Sequence, residues 1–404
     1  MYPTLKEAYF AKKVVLVRTG FDVPLGPDGE ILDDRRIRLS VPTIKYLLDH
    51  QAKHIIIITH MGRPDTKDPN PHLKTDVLAG RLGDLLEIPI IKVDGFSDIP
   101  AERIVMLENL RFDKREKSKD MIQRDAFGKE LAALADIYVN DSFSTCHRNH
   151  ASMTSIPKFL PGVIGLSVEK EVSTISDTLA SPNHPFVSVI GGLKADKLNA
   201  VSNILKKVDR ILIGGALGFS ILKARGLDVG KTKIDSEGLS SMQDILRIVK
   251  DNDKIVLPKD CLVAKEFSAD AMPGVCDADS IPNDSMALDI GPKSVREYTE
   301  ILNTAKTIVW NGPIGVFEFD NFSKGTSAVA HAIADNPGVT IVGGGDSADA
   351  IDKLGLADQM TLVSSGGGAS LQMFEGKELV ALKALKKYGK EDKEVGKDKE
   401  VGNV

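Results

Sequence analysis

Four times in its second half, this sequence runs an apolar stretch into a knot of small residues and on into a helical pattern. The four are Phe186–Lys197 (FVSVIGGLKADK), Ile211–Phe219 (ILIGGALGF), Thr340–Ala350 (TIVGGGDSADA) and Met360–Leu371 (MTLVSSGGGASL). A glycine knot between strand and helix lets the backbone approach a phosphate. The helix start adds free N–H groups and a positive dipole end. Gly343-Gly344-Gly345-Asp346-Ser347 also brings a carboxylate, suited to a phosphate-bound Mg²⁺ or to capping the helix that follows. The first half offers different chemistry. Arg63, Arg111 and Arg148 each follow a buried run (Ile55–Ile58, Ile104–Leu107, Ile137–Val139), and His60 and His150 share two of those exits. Guanidinium forks match carboxylate and phosphate oxygens, so three basic strand exits make a pocket for a small, strongly anionic molecule. Beyond His150 only Arg210, Arg225, Arg247 and Arg296 remain. Side-chain cations in front and backbone amides behind point to an enzyme holding two phosphorylated ligands, one per half.

The elements that must position these residues are short apolar strands alternating with helices. Val14–Val17, Ile55–Thr59, Ile104–Leu107 and Ile137–Val139 read as buried strands in the first half. Val187–Ile190, Ile211–Ile213, Lys254–Leu257, Thr307–Trp310, Thr340–Val342 and Thr361–Val363 do so in the second. That alternation predicts an α/β protein with parallel sheets covered on both faces. A chain of 404 residues exceeds one ordinary core. The helical pattern Leu166–Leu179, followed by Ser181-Pro182-Asn183, marks the join. The expected organisation is a first domain over 1–165, a bridging helix over 166–180, a second domain over 181–385 and a charged, low-complexity tail over 386–404.

Composition narrows the function classes. With 42% apolar and 27% charged residues and a net charge of -5, the chain has an ordinary globular make-up and no basic stripe for nucleic acid. No stretch approaches the roughly 20 apolar residues of a membrane span, and the amino terminus lacks a signal-peptide pattern. Cys146, Cys261 and Cys276 have no metal-ligand spacing and cannot all pair, so a reducing cytoplasm is the simplest setting. Gly226–Thr232 (GLDVGKT) imitates a phosphate-binding loop, but three residues separate its glycines where four are required, and it reads as a turn. No G-x-G-x-x-G opens a first βαβ unit, which weakens a dehydrogenase reading. Arg35, Arg38, Arg103, Arg115 and Arg124 read as solvated surface residues.

At the level of motifs the chain resembles the phosphoglycerate kinase family from about Lys12 to Lys377. The matching segments are Asp34–Ile44 (DRRIRLSVPTI), Thr59–Pro64 (THMGRP), Leu107–Phe112 (LENLRF), Asn140–His150 (NDSFSTCHRNH), Thr307–Phe319 (TIVWNGPIGVFEF), Thr340–Ser347 and Ser365–Leu371 (SGGGASL). The resemblance implies two doubly wound α/β domains joined by a helix, with a deep cleft, closing when both ligands bind. It implies a monomer that moves phosphate reversibly between 1,3-bisphosphoglycerate and ADP, giving 3-phosphoglycerate and ATP, with Mg²⁺ on the nucleotide. Arg36, His60, Arg63, Arg111 and Arg148 are expected to hold the acid, with His150 beside them. Lys194, Lys197, Gly215, Gly291, Asn311, Pro313, Glu318, Gly344, Gly345 and Ser347 are expected around the nucleotide, with Glu318 on the ribose and Asp346 on the magnesium. Arg36 and Lys197 are expected to neutralise the transferring group, helped by helix starts near Gly345 and Gly368.

Two departures stand out. The family pattern R-x-D-F-N-V-P reads here Arg18-Thr19-Gly20-Phe21-Asp22-Val23-Pro24, so the carboxylate expected at 20 stands at 22, where an amide is usual. Asp22 suits a substrate hydroxyl and repels a carboxylate. This change is the only support for a rival reading, a nucleotide-binding regulatory member with impaired acid turnover. Second, Lys194 and Lys197 are three apart where the family has four, which leaves open which of them is catalytic, with Lys197 favoured.

Overall fold

In a computed structural model, residues 2–64, 71–96, 98–192, 203–234 and 253–386 are described. The chain divides into two compact units: Met1–Val172 with the segment from Glu378, and Ser173–Lys377.

The first unit is built on a six-stranded sheet of β1 (Val14–Thr19), β2 (His54–Ile58), β3 (Ile91–Val93), β4 (Ile104–Leu107), β5 (Ile137–Asp141) and β6 (Gly162–Ile164). The order is β3-β4-β2-β1-β5-β6, and every pairing is parallel. β2 and β4 are buried at every position, as strands covered on both faces must be. The chain builds from β1 toward one edge and then crosses to β5 on the other side of β1. With right-handed crossovers, that reversal places helices on both faces and opens a crevice at the carboxyl ends of β1 and β5. The core beneath includes Val15, Val17, Ile55, Ile57, Ile104, Met106 and Val139.

The second unit repeats the plan with β7 (Phe186–Ile190), β8 (Arg210–Ile213), β9 (Ile255–Val256), β13 (Thr307–Asn311), β14 (Val339–Gly343) and β15 (Leu362–Val363), ordered β15-β14-β13-β7-β8-β9 and all parallel. Its reversal lies between β7 and β13. A separate antiparallel sheet, β11-β10-β12, joins β10 (Asp260–Ala264), β11 (Gly274–Asp277) and β12 (Met286–Ile290). The sequence reading did not find this sheet: β11 is largely exposed, and the short apolar runs of β10 and β12 were not read as strands. It also missed β3 and β6, each three residues long.

The expected bridging helix is present as Leu166–Ala180, and the division between units falls inside it. The second domain does not extend to 385. Residues 378–386 pack on the first unit: Leu379, Ala381, Leu382 and Leu385 are buried, and the Ala381 N–H donates to the Cys146 carbonyl at 3.1 Å. The expected tail, 386–404, lies outside the described residues except for Lys386.

Candidate active site

At the carboxyl edge of the first sheet, the loops after β1, β2, β4 and β5 are stitched together. Thr59 donates its hydroxyl to the Thr19 carbonyl at 3.0 Å and accepts the Phe21 N–H at 3.2 Å, joining the exits of β1 and β2. The fully buried Asn109 donates to the Met61 and Leu73 carbonyls at 2.8 and 2.9 Å and accepts the Arg111 N–H at 3.1 Å. These bonds fix where His60, Gly62 and Arg111 stand.

Arg18, at the end of β1, is fully buried. Its Nη2 donates to His60 Nδ1 at 2.9 Å, and its Nε to Ser152 Oγ at 3.1 Å. A guanidinium only donates, so His60 Nδ1 accepts and the ring proton sits on Nε2, 3.6 Å from Asp22 Oδ2. Burial first, then the charges of Arg18 and Arg111, push His60 down to about 3, against the pull of Asp22. The imidazole is therefore a neutral donor at physiological pH. Ser152 Oγ–H in turn donates to Glu116 Oε1 at 2.6 Å, and Ser152 N–H donates to Oε2 at 2.9 Å. Burial pushes the Glu116 carboxyl up, opposed by Arg18 and the two Ser152 donors.

Asp22 accepts the Gly62 N–H at 2.7 Å, and Arg36 Nη1 donates to its backbone carbonyl. Burial raises its pKa, but His60, the Gly62 amide and Arg111 outweigh that and hold the carboxyl at about 2. Arg111 Nη1 donates to the Gly62 carbonyl at 2.5 Å, while its buried Nε has no protein partner. Such an orphaned cationic donor is what an anion site supplies. Arg63 and Arg148 are exposed. His150, whose Nδ1 lies 3.7 Å from Glu116 Oε1, is pushed down to about 3 by burial and then by the charge of Arg18. Arg18, Asn109, Glu116 and Ser152 were not singled out as site residues. The sequence signal for Arg18 is its place at the end of a buried run, the same signal that marked Arg63 and Arg111. Among the arginines read as solvated, Arg124 is buried, with Nη1 donating to the Ser118 carbonyl at 2.8 Å.

In the second unit the loops after β7, β8, β13 and β14 meet at the switch point. The Gly191 N–H donates to the Asn311 carbonyl at 3.0 Å, Gly192 to Pro313 at 2.8 Å, and Gly215 to Ile314 at 2.7 Å. Gly215 has φ +61°, and a Cβ there would lie 2.6 Å from the Gly192 nitrogen, so only glycine fits. A Cβ on Gly367 would lie 3.0 Å from both Gly344 Cα and Gly345 N. The starts of helices Gly345–Lys353 and Gly367–Phe374 thus lie side by side, with Gly345 and Gly368 exposed. Asn311, almost fully buried beside these loops, leaves its Nδ2 donor without a protein partner.

A cavity of about 320 Å³ opens here, lined by Phe219, Phe267, Met286, Leu288 and Val316 on its apolar side and by Gly192, Gly215, Pro313, Lys233, Glu318 and Asp346 among others. Lys233 is a lining residue the sequence reading did not single out. Ser347 is fully buried, and its hydroxyl accepts the Gly312 N–H at 2.6 Å, so it shapes the loop from behind. Gly291 lies outside the cavity lining. It caps helix Pro292–Thr304, whose Lys293 and Ser294 N–H groups are held by Asp260 at 2.9 and 2.8 Å. Asp346 is not the helix cap. Gly344 takes that place at φ +102°, which leaves Asp346 exposed in the first turn. Lys194 and Lys197 lie outside the described residues. Among the described residues, no group of three or more His, Cys, Asp or Glu side chains could hold a metal ion. A lone carboxylate beside a phosphate-binding backbone fits Mg²⁺ carried by a nucleotide, because Mg²⁺ is usually held by one or two carboxylates plus phosphates and water. Among the described residues, no helix is long and apolar enough to cross a membrane.

Comparison with known proteins shows the family. The family model described as phosphoglycerate kinase matches residues 5–377. The phosphoglycerate kinase of Dictyoglomus turgidum is 44% identical over 94% of this chain and 97% of its own. A wheat (Triticum aestivum) protein described as phosphoglycerate kinase, cytosolic, is 42% identical over 95% of this chain and 97% of its own. The solved phosphoglycerate kinase of Pyrococcus horikoshii superposes with a TM-score of 0.84 at 32% identity, covering 97% of this chain and all of the other. That of Coxiella burnetii does so at 0.83 and 33%, covering 96% of this chain and all of the other.

Proposed function

This chain belongs to the phosphoglycerate kinase family, and on that premise we propose which of its residues carry the reaction. Its activity is reversible phosphoryl transfer between 1,3-bisphosphoglycerate and ADP, giving 3-phosphoglycerate and ATP. The acid binds the first unit. Arg63, Arg111 and Arg148 take its phosphate and carboxylate oxygens, neutral His60 donates through Nε2, and His150 borders the pocket. Asp22 accepts from the substrate hydroxyl. The nucleotide binds the second unit, its base against Phe219, Met286 and Leu288, its ribose on Glu318, and its phosphates on the glycine loops and Asn311 Nδ2. Asp346 would hold Mg²⁺ carried by the nucleotide, and the ion would supply charge neutralisation at the phosphates.

No covalent intermediate is required, because positioning and charge stabilisation dominate phosphoryl transfer. Arg36 reaches the acid from beside Asp22. Lys197 is assigned to the transferring group on the family resemblance alone, and the amides at Gly345 and Gly368 share that group's negative charge. One observation carries the assignment: each unit sets a buried donor without a protein partner at the carboxyl edge of its sheet, Arg111 Nε after β4 in one and Asn311 Nδ2 at the end of β13 in the other. We further place the protein in the cytoplasm, as a monomer.

The test is ADP formation from ATP and 3-phosphoglycerate with and without Mg²⁺. Lys197→Ala and Arg36→Ala should each lower kcat at least a hundredfold, Lys194→Ala much less, and Asp346→Asn should raise the Mg²⁺ requirement. Normal nucleotide binding without turnover in the unmodified protein would instead support the regulatory reading.

A further inference from the structure

Cys261 and Cys276 face each other across the small antiparallel sheet. They are register partners on β10 and β11, with their sulfurs 3.6 Å apart. Directly opposed residues in such a sheet have Cα atoms about 4.5–5.5 Å apart, inside the range of about 4.4–6.8 Å that a disulfide spans. A bond of about 2.05 Å requires the sulfurs to close by roughly 1.5 Å, a side-chain movement. Both thiols are free, and neither belongs to the site described above.

The two cysteines differ in access. β11 is an edge strand of this sheet, and Cys276 on it is half-buried. Cys261 is fully buried in a cluster with Phe219, Val263, Ala278 and Ala287. Burial, with Cys276 beside it, pushes the Cys261 thiol up. Cys276 is therefore the residue a reagent meets, and Cys261 the one that can answer only Cys276.

We propose that this pair is a thiol–disulfide switch attached to the wall of the nucleotide cavity, with a small-molecule disulfide as its oxidant. The Cys276 thiolate attacks one sulfur of RS–SR and expels RS⁻, leaving a mixed disulfide. Cys261 then loses its proton and attacks the Cys276 sulfur, expelling the second RS⁻. Two protein thiols become one disulfide, one RS–SR becomes two RSH, and the two thiol protons end on the leaving groups. Excess RSH reverses both steps, as suits a pair in a reducing compartment.

The link to the cavity runs through β10. Its other neighbour is β12, paired as Val263 with Ala287 and Ala264 with Met286, and Met286, Ala287 and Leu288 line the cavity. Phe219, another lining residue, packs in the Cys261 cluster. Because β10 lies between β11 and β12, closing the disulfide draws Cys261 toward β11 and away from the cavity wall. Oxidation is expected to raise the KM for ATP about fivefold, the low end of ordinary coupling between sites, and to leave the KM for 3-phosphoglycerate unchanged. The effect on ATP rests on the nucleotide assignment above, whereas formation of the disulfide does not.

The whole protein is equilibrated with graded mixtures of reduced and oxidised glutathione, alkylated and mapped by mass spectrometry, with activity measured in parallel. A reversible Cys261–Cys276 disulfide with Cys146 still alkylated is expected. Cys276→Ser should abolish the reaction with basal kinetics intact, and Cys261→Ser should trap glutathione on Cys276. Glutathione retained on Cys276 in the unmodified protein, or no reaction at either cysteine, overturns the pair. A disulfide that leaves the KM for ATP unchanged overturns its coupling to the cavity. Absence of activity before any oxidation counts against the functional assignment and not against the thiol chemistry.

Discussion

The exchange of residues at positions 20 and 22 lends itself to a reversal, Gly20→Asp with Asp22→Asn. Asp22 is held at about 2 because the donors and cations around it outweigh its burial. Against the ordinary aspartate value of 3.8, that corresponds to about 2 kcal/mol in favour of the folded state. The side chain is 34% exposed, so solvent screening reduces this to about 1 kcal/mol. A depressed carboxylate contributes above its unfolded pKa and loses that contribution as pH falls through about 2. Asp22→Asn alone should therefore cost about 1 kcal/mol at pH 7, roughly 2–4 °C in Tm for units of this size. At the ligand, the double variant moves the acceptor for the substrate hydroxyl to position 20 and sets an amide donor at 22 toward the substrate carboxylate that Asp22 repels. A hydrogen bond to a charged group contributes at least about 1.5 kcal/mol, or roughly a tenfold fall in KM. A Cβ at position 20 would sit 3.1 and 3.2 Å from the Ser144 and Ser142 hydroxyl oxygens, which need only shift by tenths of an ångström and can then donate to the new carboxylate. The assay is steady-state kinetics with 3-phosphoglycerate varied at saturating ATP, alongside thermal melts of both single variants. The expected result is a lower KM for the acid in the double variant, an unchanged KM for ATP, and a lower Tm in Asp22→Asn alone. An acid KM that stays the same or rises would refute the reasoning.

Other expectations follow from the same contacts. Asn311→Ala removes a donor that has no protein partner, so the KM for ATP should rise about tenfold while Tm stays within a few degrees, measured by kinetics and calorimetry. Arg18→Met strips a cation from a buried array and should cost about 3–5 kcal/mol in denaturant unfolding, and adding Glu116→Gln should cost less than the sum of the two single changes. His60 is held neutral at about 3 in the folded state against 6.5 in model peptides, so the unfolded chain binds the extra proton first. Its contribution is complete above pH 6.5 and is lost as pH falls toward 3. Urea midpoints at pH 7.5 and 5 should differ, and less so in His60→Asn.

The residues at strand exits were the most legible part of this molecule. His60, Arg63, Arg111 and Gly344 were singled out because a buried run followed by a polar or glycine residue has one meaning in a parallel sheet, whereas Asn311 came only from the family motif. What stayed hidden depends on contacts between segments far apart in the chain. Arg18 reads as the end of an apolar run, and only the fold reveals Ser152 and His60 against its guanidinium. Asp346 reads as a magnesium carboxylate that could also cap its helix, but the positive φ of Gly344 gives the cap to the glycine. Gly291 is implied at the nucleotide by the family resemblance, yet it lies against the Asp260 carboxylate, which arrives from a strand in the sheet that periodicity did not find.

The return of residues 378–386 to the first unit bears on how the protein is made. The second unit is one uninterrupted stretch, whereas the first is in two pieces. A ribosome completes all of Ser173–Lys377 before it supplies the helix that seats Leu385 against Gly162 and Tyr138. Domains generally fold as units in the order they are synthesised, beginning at the amino terminus. Here that order is interrupted: the nascent first unit waits with an apolar groove uncovered while its successor closes. A chaperone that shields apolar grooves on nascent chains has a defined interval in which to act, and synonymous codon changes between 173 and 377 would lengthen or shorten it.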